Sequence, residues 1–267
     1  MTRSFVCGIV AVCLGIAILV PPRHSFAEPI LKPRKYHGPI PKKFFTLSIG
    51  VMGGADNEEM WGYLDRQVDQ PLQRYTDTKD FGAGLALDMS YTAKVHPQFA
   101  LRAKGGLNVL QSSSTGQTIP NVEPDSTGNR PLLSFEREFD VWLFSLEASG
   151  MYFFQDASVK EFQTYIGAGF SFFFPYQIYR ETLVDIDTGE PYADRKVTEF
   201  ELAPGVHALL GFLYHIKPTL AFNAEGRIQM AQSKFTLNYD TENGPQDLSF
   251  DVDYTGFILT LGVSKFF

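Results

Sequence analysis

The sequence predicts an all-β fold, an eight-stranded antiparallel up-and-down transmembrane β-barrel, on three observations. Apolar residues alternate with small or polar ones in eight separate segments, the period of a strand. The connections between those segments alternate between long polar stretches and short turns. The composition, 24 Phe, 12 Tyr, 2 Trp and 23 Gly in 267 residues, holds more rings and turn residues than a helical protein needs.

The chain opens with a secretory-signal pattern: Arg3, an apolar run over 5–20, Pro21 and Pro22, then the small-residue site Ser25, Phe26, Ala27. Cleavage is expected after Ala27; the rival is an uncleaved anchor, for which the run falls just short. Val12 before Cys13 does not fit a lipoprotein site. Both cysteines, Cys7 and Cys13, lie in residues 1–27, so cleavage leaves no disulfide, thiolate nucleophile or cysteine metal site. The net charge is −7 and becomes −9 after cleavage, with 21 basic and 30 acidic groups, which argues against a nucleic-acid partner. Residues 28–43 carry four prolines and five basic groups and read as an extended periplasmic tether.

The barrel is expected over 44–267. Its first strand, 44–57, sets Phe45, Leu47, Ile49 and Val51 against Thr46, Ser48 and Gly50. The second, 81–93, alternates Leu85, Leu87, Met89 and Tyr91 with Ala86, Asp88 and Ser90, and the third, 99–112, sets Phe99, Leu101 and Ala103 against Arg102 and Lys104. The fourth, 139–154, places Trp142, Phe144 and Leu146 opposite Ser145, Glu147 and Ser149. The fifth, 163–180, carries Ile166, Phe170, Phe172 and Phe174, and the sixth, 197–216, carries Val206, Leu210, Phe212 and Tyr214. The seventh, 219–235, opposes Leu220, Phe222 and Ile228 to Asn223, Glu225 and Arg227. The last, 251–267, alternates Phe257, Leu259, Leu261, Val263 and Phe267 with Gly256, Thr260 and Ser264. Residues 58–80, 113–138, 181–196 and 236–250 are expected as long polar loops at one mouth.

A lipocalin-like barrel shares this count and alternation but turns its oily face inward. Asp88, Arg102, Lys104, Glu147, Glu225 and Arg227 all fall on the minor face, and they could not look outward while large aromatics filled so narrow a lumen. The oily face therefore looks outward to lipid, and the six charges form a lumen network of three acids and three bases. A five-residue turn over 94–98 puts Asp88 opposite Lys104, and Glu147 opposite the same lysine; a slip of two residues brings in Arg102 instead.

The exported precursor, the alternating strands, YIGAGF at 165–170, AFNAEGR at 221–227 and the terminal Phe267 resemble the outer-membrane β-barrel superfamily that includes OmpA-like transmembrane domains. The resemblance covers about 44–267. It implies a bacterial outer-membrane location, contact with outer-membrane lipids and lipopolysaccharide, and a monomer. It also implies that Phe257, Leu259, Leu261, Val263 and Phe267 form the signal read by the barrel-insertion machinery, although Lys265 stands where the family has an aromatic or aliphatic residue.

No catalytic, cofactor or metal site is expected. His207 and His215 are too far apart along one strand to share a metal, and His37 and His96 have no serine or carboxylate arrangement around them. Asp185, Asp187, Gly189 and Glu190 superficially evoke a calcium loop, but Gly189 replaces a ligand and Glu190 the required glycine, so the segment reads as a hairpin tip. The acids of the long loops could hold divalent ions at the lipopolysaccharide layer, or form a solvated face. The functional expectation is a non-enzymatic structural or surface-interaction barrel whose lumen is plugged by paired charges. The alternatives are a narrow channel for small or apolar solutes and a lipid-modifying enzyme.

Overall fold

A computed structural model describes residues 42–64, 75–118, 131–154, 162–241 and 244–267. The signal segment and nearly all of the tether lie outside these residues. Lys43, assigned to the tether from sequence, opens the first strand.

The elements are β1 (Lys43–Gly53), α1 (Glu58–Tyr63), β2 (Tyr75–Lys79), β3 (Gly84–Lys94), β4 (Phe99–Thr118), β5 (Leu133–Phe153), β6 (Phe162–Asp185), β7 (Pro191–Phe200), β8 (Ala203–Lys217), β9 (Leu220–Thr241), β10 (Gly244–Asp253) and β11 (Gly256–Phe266). Strands β1, β3, β4, β5, β6, β8, β9 and β11 pair antiparallel in that order, and β11 returns to β1 to close the ring. Closure leaves the ring no free edge. At the closing pair Gly50 faces Thr260; a Cβ on Gly50 would lie 1.9 Å from the Leu259 carbonyl oxygen, so the approach requires glycine.

The period-two pattern builds the outer belt as expected. Leu47, Phe170 and Leu261 are 62%, 71% and 56% exposed, values that in water would make an aggregation surface and here mark the lipid-facing side. On β9 the outward apolar band runs over 220–230, close to the roughly 9–11 residues needed to cross a bilayer. On β6 it runs over 162–178, so the belt stands taller there.

The segments expected as loops are largely folded. β4, β5, β6 and β9 continue past the belt, and α1, β2, β7 and β10 fill in above β1, β3, β8 and β11. The expectation failed because the polarity of the alternation inverts there. On β5, Leu133, Phe135 and Phe139 point inward and are buried while Glu136 and Glu138 point out, since water replaces lipid outside. Phe250, placed in a loop by sequence, is likewise a buried residue of β10. The hairpin tip after β6 forms as expected: Asp185 Oδ1 accepts from the N–H groups of Asp187 and Thr188, and Gly189 sits at φ 72°.

Among the described residues the wall carries a seam beside β7. β7 and β8 hold a single register on β6, Tyr176 opposite Phe200 and Phe173 opposite Ala203, so they are two lengths of one strand broken at Glu201 and Leu202. The break faces Pro175, which accepts from Glu201 N–H but has no N–H to return. The β8–β9 ladder in turn stops at Gly205 opposite Ala231, beside Pro204. Above that point the Lys234 and Thr236 N–H groups donate to side chains instead, Glu201 Oε2 at 2.5 Å and Glu199 Oε2 at 2.6 Å.

Candidate functional site: a lumen closed in three layers

The inner face of β5 reads the lumen from end to end: Phe139, Val141 and Leu143, then Ser145, Glu147 and Ser149, then Met151 and Phe153. An apolar layer at the long-loop mouth, a polar middle and an apolar layer at the short-turn mouth follow.

At the short-turn mouth, Phe44 and Phe266 stack at 4.7 Å, and Met151, Phe153 and Leu213 pack beside them. Lys94 Nζ lies 4.1 Å from the Phe153 ring centre and donates to Gln163 Oε1 at 3.1 Å.

The middle layer holds the six charges, each no more than 6% exposed. They form one chain of alternating sign. Arg102 bonds Glu225; Glu225 lies 3.8 Å from Lys104; Lys104 is 2.5 Å from Asp88; Asp88 is 3.8 Å from Arg227; and Arg227 donates to Glu147 at 2.9 Å. Tyr165 Oη donates to Glu225 at 3.0 Å, and Asn223 Nδ2 donates to Tyr165 Oη at 2.8 Å. Six buried charges are tolerable because each has an opposite neighbour. A cavity of about 10 Å³ among Ser90, Thr92, Arg102, Lys104 and Glu225 has room for roughly one water.

The register differs from the expected one on one side of Lys104. Glu147 does face Lys104 across β4–β5, but β3–β4 is slipped by two residues, so Ser90 faces Lys104 and Asp88 faces Gly106. A Cβ on Gly106 would lie 2.6 Å from Asp88 Oδ1, and the missing side chain lets the carboxylate lean diagonally to Lys104. Glu147 reaches across the lumen to Arg227 rather than to its strand neighbour, so the expected Asp88–Lys104–Glu147 triad does not form. Strand pairing gives neighbours along the wall; contacts across the bore depend on barrel closure.

His207, expected on the inner face, sits between two hydroxyls: Nε2 is 2.8 Å from Ser149 Oγ and Nδ1 is 2.7 Å from Ser171 Oγ. Among the described residues no group of three or more His, Cys, Asp or Glu has metal-binding geometry.

The long-loop layer is a single apolar cluster. It includes Met52, Phe139, Phe173, Tyr179, Phe235, Phe250, Val252 and Tyr254 from the wall, with Met60, Trp61 and Leu64 entering from α1 and its end. Polar residues inside it pair locally: Arg137 Nε donates to Glu181 Oε1 at 2.7 Å, and Gln177 Nε2 donates to Tyr254 Oη at 2.6 Å and Ser233 Oγ at 2.9 Å. Sequence reading missed Arg137 and Glu181 because both fell in expected loops. The signal was there, since each keeps the inward parity of Phe139 and Tyr179. Asp80, on the rim, has its carboxyl pushed up by partial burial and by the neighbouring carboxylates of Asp56 and Glu58.

No protein-family model matches the chain, and no curated protein matches it in sequence. Among solved structures, the outer membrane protein OprG from Pseudomonas aeruginosa superposes with a TM-score of 0.54 at 13% identity, covering 86% of this chain and 97% of OprG. The outer membrane protein AlkL, solved in lipid bilayers, gives 0.42 at 16% identity, covering 90% of this chain and 96% of that one. The outer membrane protease OmpT from Escherichia coli gives 0.39 at 12%, covering 87% and 99%. At this identity the OprG match speaks to fold alone. Together with the outward apolar belt and the closed ring, it shows that the chain has the fold of the bacterial outer-membrane β-barrels, an eight-stranded antiparallel barrel with an apolar outer face.

Proposed function

We propose that this is a water-tight barrel with a structural and surface-presenting role in the outer membrane, its long-loop mouth facing outward. The observation that carries the reading is the closure of the lumen by an unbroken ion-pair chain between two packed apolar layers. An interior of this strand number is just wide enough for side chains to fill, and here they fill it. The wall above the belt then works as a rigid platform for the loops. The purified, refolded barrel in a planar bilayer is expected to give no unitary current steps; reproducible steps would overturn this reading.

A second reading, passage of small apolar solutes, is favoured by the apolar long-loop layer and by the seam beside it. Ala203, Ala231 and Phe235 line the seam inside and are buried, while Leu202, Val206 and Met230 lie exposed outside, so two carboxylate–amide bonds close the boundary between apolar interior and lipid. Accelerated flux of a labelled apolar solute into barrel-containing vesicles, without ionic conductance, would support it.

A further inference from the structure

The ring closes without α1, yet α1 fills the bore. Met60, Trp61 and Leu64 are 0%, 2% and 0% exposed within a cluster supplied by β1, β4, β5, β6, β9 and β10. The helix is short, six residues, and its polar ties include Asn57 Nδ2 to Ser112 Oγ at 2.8 Å, Asp251 N–H to Glu59 Oε2 at 3.0 Å, Glu58 N–H to Asp56 Oδ1 at 2.7 Å, and the Asp56–Asp253 bridge.

The fit of Trp61 is chemically incomplete. Its ring packs 6.5 Å from Tyr179, but its Nε1–H, buried, has no acceptor among the described residues, whereas a buried indole N–H ordinarily finds one. Acceptors are present around the same layer. The side-chain oxygens of Gln177, Gln229 and Asn57 are buried without donors among the described residues, while their amide N–H groups are spent on Tyr254, Ser233 and Ser112. Tied to a short helix, the indole cannot slide to meet them. A free ring could.

We propose that the chamber now filled by Trp61, Met60 and Leu64 is a binding site for small aromatic solutes bearing one O–H or N–H, and that Trp61 is a tethered stand-in which such a solute displaces. The walls select rings, since Phe139, Tyr179, Phe235, Phe250 and Tyr254 surround the space. Three of the open polar positions around this layer, the side-chain oxygens of Gln177, Gln229 and Asn57, are acceptors that a solute O–H or N–H would satisfy. The space vacated by three side chains is near the lower limit of ligand pockets, roughly 300 Å³, which restricts the solute to one or two rings.

This inference rests on the apolar-solute reading, and its test keeps the two apart. The sequence holds two tryptophans, so Trp142→Phe leaves Trp61 as the reporter. Titrating that full-length variant in lipid vesicles with p-cresol is expected to give a saturable red shift as the indole leaves the chamber. Trp61→Ala, which removes the incumbent, is expected to bind p-cresol at least tenfold tighter by calorimetry, and cyclohexane at least tenfold more weakly than p-cresol. The proposal is overturned if the Trp61 signal rises only linearly, as a Trp61→Phe protein reporting from Trp142 at the lipid face would. It is equally overturned if Trp61→Ala binds no tighter. Should Trp61→Ala fail to insert, the Trp142→Phe titration decides alone. Saturable binding without solute flux would sink the passage reading and leave the site; flux without saturable binding would do the reverse.

Discussion

Replacing Lys104 with alanine tests whether the middle layer is a plug held by charge. Lys104 has two carboxylate neighbours, Asp88 on the adjacent strand at 2.5 Å and Glu225 across the bore on β9 at 3.8 Å, and all three side chains are no more than 4% exposed. At an effective dielectric of about 20, a contact near 4 Å contributes roughly 4 kcal/mol before desolvation. Removing one member of such a buried pair costs about 3–5 kcal/mol, because the partner charge stays buried. Here Asp88 retains Arg227 at 3.8 Å and Glu225 retains Arg102, so the low end, about 3 kcal/mol, is expected. With a urea slope of about 1–3 kcal/mol per molar, the unfolding midpoint in vesicles should fall by roughly 1–3 M. Lys104→Met, which keeps the stem and removes the charge, should fall nearly as far. Adding Asp88→Asn to Lys104→Ala should restore most of the loss, since the remaining two acids then face two bases. The control is Lys79→Ala on the exposed part of β2, whose midpoint should not move. Equal midpoints for Lys104→Ala and Lys79→Ala, or no recovery in the double variant, would refute the argument that paired charge closes the bore.

Four further outcomes are expected. Gly50→Ala should block closure of β1 on β11 and abolish the heat-modifiable form on gels, whereas Gly82→Ala, with nothing within 4 Å of the added carbon, should leave it intact. Glu199→Ala combined with Glu201→Ala should expose the Lys234 and Thr236 amides to rapid hydrogen exchange by NMR while Ile228 and Met230 stay protected in the β8–β9 ladder; retained protection at 234 and 236 would refute the carboxylate bridge. Asp80 has a folded pKa raised above 3.8, so the folded state binds the extra proton and its ionisation costs stability as pH rises through that window; Asp80→Asn should therefore stabilise at neutral pH, an advantage that disappears below about pH 4 in unfolding measured against pH. Deleting Phe267, which is 59% exposed beside Tyr91, should lower the membrane-inserted fraction in cells more than Phe154→Ala at the same rim, and equal fractions would count against the insertion-signal assignment.

Periodicity and charge alone separate the residues that meet lipid from those that meet the lumen. Period two assigns Phe45, Leu101, Trp142 and Leu259 to one face and Asp88, Lys104, Glu147 and Glu225 to the other, and the impossibility of facing six charges outward sets which face is inner. It also gave the β4–β5 register around Lys104 and Glu147, because a pairing between adjacent strands is a local matter. Tertiary structure decided what lies across the bore. Glu147 meets Arg227 and not Lys104, and Asp88 reaches Lys104 diagonally past Gly106, outcomes that depend on how far the ring shears as it closes. It also decided the fate of the long segments. Leu133 and Phe135 keep strand period above the belt, but with water outside and apolar side chains inside their polarity inverts, so a lipid-facing pattern does not reveal them or the inward pair Arg137 and Glu181 beside them. The burial of Trp61 could not be read locally at all. One turn of helix has too little length to show a face, and only the closed wall around it defines the chamber it fills.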